Sequence, residues 1–145
     1  MSHPPIRYRV ATLFLALTLL PCPSATSKEG FFGFGSTPYG WQRGPGKLIT
    51  VRFVSGRTTM HRAALLTLHH CALIASHAGK PYFALYRDLP DALADRRSAE
   101  PMVTTILHQP SAITYILLQD GPGPGLLSTA KVLSELTPQL NRAAP

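Results

Sequence analysis

Residues 58–78 read TTMHRAALLTLHHCALIASHA, and the rest of the chain is arranged around them. Met60, Ala64, Leu68, Cys71, Ala75 and Ala78 recur at spacings of three and four, which places them on one helical stripe. Thr58 or Thr59 can cap the start, and Gly79 followed by Pro81 stops the end. On the N-terminal side, Leu48–Val54 alternates: Ile49, Val51 and Phe53 point one way, Thr50, Arg52 and Val54 the other. On the C-terminal side, Tyr82–Tyr86 puts Phe83 and Leu85 on one face. Both read as half-buried strands. Strand, helix and strand within about 40 residues make a crossover unit, which predicts two parallel strands. Leu65, Leu66 and Leu73 lie off the stripe, so the helix needs a second covering element.

Further along, Arg87–Pro101 is a polar loop with one helical turn expected at Asp91–Asp95. Met102–His108 and Ala112–Leu118 read as a β-hairpin turning at Gln109-Pro110-Ser111. Asp120–Gly125 is a strong break. Leu126–Leu140 then carries Leu126, Ala130, Leu133, Thr137 and Leu140 on one stripe, a second amphipathic helix. The order β-α-β-β-β-α predicts an α+β two-layer sandwich, with both helices on one face of a small mixed sheet.

A chain of 145 residues suffices for one core of ordinary size. Its apolar fraction is 45% and its charged fraction 14%, greasy for a soluble domain. Part of that lies at the start. Arg7 and Arg9 precede the uncharged run Ala11–Leu20, and Pro21–Ser27 is a helix-ending, small-residue segment. This is the layout of a secretory signal peptide, and the run is short for a bilayer span of about 20 residues. The expected organisation is a leader at 1–27, a Gly- and aromatic-rich flexible arm at 28–46, one α+β domain at 47–141 and a tail at 142–145. The arm's glycines oppose regular structure, while Phe31, Phe32, Phe34, Tyr39 and Trp41 offer rings that could anchor a partner. Cys22 is a candidate lipidation site, although Pro21 before it is a poor match to that signal. The net charge is +7, or +5 without Arg7 and Arg9. The basic residues look scattered, which suits loose contact with anionic polymers or lipid headgroups rather than a defined groove.

With these residues in view, the chain resembles a family of small uncharacterised proteobacterial envelope lipoproteins. The matching pieces are Thr37-Pro38-Tyr39, Val51-Arg52-Phe53 with Gly56, Arg62–Leu66, Cys71–Ala75, and Gly79 with Tyr82-Phe83. The resemblance implies an exported, periplasmic or membrane-associated protein with a β-α-β core and a C-terminal amphipathic helix. It brings no activity, cofactor or catalytic residue.

No arrangement for catalysis or for holding a cofactor stands out. His61, His69, His70 and His77 share the central helix, but only His70 and His77 share a side, about 10.5 Å apart at 1.5 Å per residue. They read as partly exposed helix histidines, since a shared ion needs shorter spacing and a third ligand, for which His108 is the one candidate. Cys71 lies on the apolar stripe and reads as buried and inert. Gly121–Gly125 precedes a helix without the lysine and serine of a phosphate loop. Asp88, Asp91, Asp95 and Glu100 sit beside Arg96 and Arg97 and read as solvated charge. Aromatic strand motifs for RNA are missing, which argues against nucleic acid as a partner. The expectation is a non-catalytic binding or structural module of the envelope with an unknown partner. The alternative is a small periplasmic hydrolase using His70, His77 and His108.

Overall fold

The computed structural model describes residues 39–142. The leader, Cys22, and Phe31, Phe32 and Phe34 of the arm lie outside the described residues. The elements run β1 (Tyr39–Arg43), β2 (Ile49–Val54), α1 (Met60–His77), β3 (Tyr82–Tyr86), α2 (Leu89–Leu93), β4 (Val103–Ile106), β5 (Gln109–Gln119), β6 (Leu127–Ser128) and α3 (Thr129–Arg142). The class is α+β. None of the described helices is long and apolar enough to cross a membrane.

The sheet is organised by β5, the longest strand. Its order is β1-β2-β5-β3-β6, with β4 also paired to β5, and every pairing is antiparallel. On one edge β5 holds β2, Ile49 facing Ile116 and Phe53 facing Ala112. On its other edge Ala112 faces Val103 of β4, and Ile116 faces Leu85 of β3. The two strands of the crossover therefore do run the same way, but β5 is inserted between them and the expected parallel contact is absent. Antiparallel pairing on both sides of β5 is slightly more stable per residue than a direct parallel pairing of β2 with β3.

Side-chain alternation sends Val51, Phe53, Phe83, Leu85, Ala112 and Ile116 to the core face, all essentially without exposure. Against them α1 presents Ala63, Thr67, Cys71, Ala72 and Ala75. In its first half this buried line is offset by one residue from the expected stripe. The smallest side chains face inward so that the helix approaches closely, while Leu65, Leu66 and Leu68 pack at its flanks. Thr67 is accommodated because its hydroxyl donates to the Ala63 carbonyl at 2.7 Å. Val132 and Leu136 of α3 join the same cluster, supplying the second cover that the all-round apolar helix required. Thr59 caps α1 through the Arg62 amide, and Gly79 closes it at φ +66.

Three local readings change. Tyr39–Arg43, expected within a structureless arm, is a strand, because Tyr39 buries part of its ring on Phe53 and carries its neighbours into register with β2. The β4–β5 turn is centred on Leu107 and His108 rather than on Pro110. Pro110 is tolerated inside β5 because its missing N–H faces the point where β2 has ended at Val54. Finally, Leu127–Ser128 pairs with β3, and α3 begins only at Thr129. Thr129 is held there by its amide on the Pro81 carbonyl at 2.9 Å and its hydroxyl on the Lys80 carbonyl at 2.8 Å.

Candidate functional site

The sheet face opposite the core carries an open cleft of about 330 Å³, lined by Gln42, Arg43, Gly44, Pro45, Thr50, Arg52, Ile113 and Tyr115. Three strands build it by register alone: Gln42 on β1 lies opposite Thr50 on β2, which lies opposite Tyr115 on β5. Arg52 and Ile113 form the next row. The β1–β2 turn makes one wall, closed by the Gly44 amide on the Leu48 carbonyl at 2.8 Å. Gly44 is required because a Cβ there would meet the Thr50 hydroxyl at 3.1 Å, and Gly46 sits at φ +63. Amide, hydroxyl, phenol and two guanidinium groups thus converge, and no acidic residue lines the cleft. Such a set hydrogen-bonds and neutralises an anion.

Along the sequence the charges are segregated, although Lys80 and Arg87 pair in space with Asp120 and Asp91. From Tyr39 to Arg87 the chain has seven basic residues and no Asp or Glu, whereas all six acids of residues 39–142 fall between Asp88 and Glu135. Those acids are largely spent internally. Asp120 accepts from Lys80 at 2.6 Å, and Glu135 lies 4.0 Å from Lys131. The expectation of scattered cations without a groove is thereby revised: Arg43 and Arg52 share one cleft. The acid-free run is the sequence signal that marks this half.

The acidic loop is solvated only in part: Asp95 and Glu100 are exposed as expected, but Asp91 is not. Asp91 is buried, accepting from Arg96 at 2.8 Å and Arg87 at 3.3 Å, with the Arg96 hydrogen bond foremost in holding its carboxyl below the usual range. Asp88 caps α2 through the Asp91 amide at 2.7 Å. Asp95 accepts from Arg97 and from the Tyr86 hydroxyl at 2.7 Å, and Arg97 foremost keeps its carboxyl low. Arg97 reaches on to the Pro124 carbonyl, so the Gly121–Gly125 break is clasped as a turn. This network braces two loops to β3.

His70 lies under the Tyr39 ring, stacked at 4.8 Å, and its Nε2 has no hydrogen-bond partner among the described residues. Burial, then the charges of His69 and His77, depress its pKa. His69 contacts the Thr137 hydroxyl at 3.0 Å, His77 is exposed in the last turn of α1, and His108 is exposed at the β4–β5 turn. Among the described residues no three His, Cys, Asp or Glu side chains gather as metal ligands, so His70, His77 and His108 are not brought together. Cys71 is fully buried, which pushes its thiol pKa far up. Of the aromatic residues picked as partner contacts, Tyr39 is engaged inside the fold, while Trp41, on the same face of β1 but farther along its edge, is 51% exposed. Comparison with known protein families, with curated proteins and with solved structures finds no match to this chain.

Proposed function

We propose that this chain is an exported, non-catalytic envelope protein that holds an anionic polymer in the cleft between Arg43, Arg52 and Tyr115. The observation that carries the reading is that Arg43 and Arg52 share a cleft whose lining holds no acid. Gln42, Thr50 and the Tyr115 hydroxyl add donors that orient a chain of carboxylates or phosphates, and the tyrosine ring adds a surface for a sugar or aliphatic segment. The leader-like start of the sequence and the resemblance to envelope lipoproteins supply the compartment. The test is titration of fluorescein-labelled polygalacturonate and polyphosphate, read by anisotropy against salt concentration. Arg43→Gln with Arg52→Gln should weaken binding of at least one polymer roughly tenfold and flatten its salt dependence. Salt-independent binding, or equal affinity in the double variant with an unchanged melting temperature, would overturn the reading.

A further inference from the structure

At the far end of β2 from the cleft, the β4–β5 hairpin ends in Leu107, the most exposed large apolar side chain described, at 88%. Leu107 has φ +50 and His108 φ +62. A two-residue turn with both central residues in that region is the one for which Asn-Gly is favoured, because side chains crowd the backbone there. Leu107 is thus unfavourable twice, once by backbone conformation and once by exposure, and no contact within the fold offsets either. A conformational outlier at an exposed tip is a reason to look for a function.

The surroundings say which. Ile106 is half exposed beside Leu107, and Met60, also exposed, touches the hairpin through its sulfur, 3.7 Å from the Thr105 hydroxyl. The loop that carries Arg57 runs alongside, since Gly56 abuts the Gln109 side chain. Arg57, His61 and His108 are all exposed on the hairpin or on the segments that touch it, and no acid lies in the run from Tyr39 to Arg87. A convex point of three or four side chains is too small for a stable protein interface, which takes about 20–30 residues a side. A second copy seated tip to tip would bring Arg57 against Arg57. An apolar tip beside a loop that carries an exposed arginine and no acid matches a lipid surface with anionic headgroups.

We infer that the β4–β5 hairpin tip is a lipid-docking element, inserting Leu107 and Ile106 between acyl chains while Arg57 and its neighbours contact anionic headgroups. The site is separate from the polymer cleft in residues and in ligand, so either can fail alone.

The test uses the full chain with Trp41→Phe and Leu107→Trp, so that the single tryptophan reports the tip and an apolar run elsewhere cannot mimic the signal. With vesicles of phosphatidylethanolamine and phosphatidylglycerol, its emission should shift to the blue and be quenched by lipids brominated in their acyl chains. Phosphatidylcholine vesicles, or Arg57→Gln, should weaken the effect. In a second variant, Leu107→Asn with His108→Gly, the turn is relieved, so the melting temperature should hold or rise while Trp41 is retained for concentration. That variant should partition roughly tenfold less onto the anionic vesicles than the unaltered chain. Unmoved emission, equal emission shifts on both lipid compositions, equal partitioning of the relieved turn, or a blue shift that follows protein concentration without lipid would each overturn the inference.

Discussion

Replacing Tyr39 with Ala should release β1 without unfolding the domain. Of the five residues of β1, only Tyr39 is more than slightly covered; Gly40, Trp41, Gln42 and Arg43 are all exposed. Its ring lies 5.1 Å from Phe53 and 4.8 Å from His70. Truncating a fully buried aromatic to Ala costs about 3–5 kcal/mol, so the half-buried Tyr39 should give up about 2 kcal/mol. What then remains for β1 is its backbone ladder. The Gly44–Leu48 hydrogen bond fixes the alternation, so the amides of Gln42 and Gly40 point at β2 and those of Trp41 and Arg43 point away. A local loss of about 2 kcal/mol corresponds to roughly thirtyfold more opening. Amide exchange by NMR should therefore accelerate about that much at Gly40 and Gln42, and little at Ile116 or Leu85. The His70 resonance gives an independent reading. Burial holds its pKa low in the native chain, so the unfolded chain binds a proton first as pH falls through about 6.5. Native stability is accordingly present above that pH and is lost below it, and Tyr39→Ala should raise the His70 midpoint and shrink that loss. Exchange at Gln42 that stays as slow as at Ile116, or an unmoved His70 titration, would refute the view that Tyr39 is the clasp.

Gly125→Ala should lower the melting temperature, because Gly125 has φ +67 and a Cβ there would also meet Arg97 at 3.3 Å; a loss of about 1–2 kcal/mol is expected, and an unchanged melt would show the turn is not clasped. Asp91 and Asp95 have folded pKa values below their unfolded ones, so their stabilisation is present above about pH 4 and is lost as pH falls through the folded values. Denaturant midpoints followed from pH 6 to the acid range should drop less steeply in Asp91→Asn than in the unaltered chain, and parallel curves would count against the network.

The helix at Met60–His77 and the strands on either side of it were legible because each follows one period over many residues, and both caps of α1 carry their usual residue types. What was not legible depends on pairing across long separations. Nothing local in Leu48–Val54 or Tyr82–Tyr86 says that β5, which begins only at Gln109, goes between them. Similarly, Leu126 and Leu127 fit a helical stripe as well as a strand, and it is the pairing of Leu127 with Phe83 that decides. The candidate cleft was hidden for the same reason, since Arg43 and Tyr115 are neighbours only through β2. Its sign was visible all along in the uninterrupted basic run, which a tally over the whole chain averages away.

The distribution of strain separates the structural parts of this molecule from the exposed ones. Three residues other than glycine have positive φ: Asp95, Leu107 and His108 among the described residues. Asp95 is a residue type that tolerates that conformation, and it gains the Tyr86 hydroxyl and the Arg97 guanidinium by adopting it. Asp91 is buried against expectation, yet two arginines face it. In both cases the fold itself supplies the offset. At Leu107 it does not: a leucine gains nothing from the left-handed region, and its side chain meets water. Asparagine and glycine at 107 and 108 would make the same turn at lower cost, so the present pair is explained by a contact made outside the domain. The adjoining Ser55–Thr59 loop carries Arg57 and no acid, which narrows the contact to one with negative charge around an apolar interior and describes a lipid bilayer better than it describes a folded protein surface.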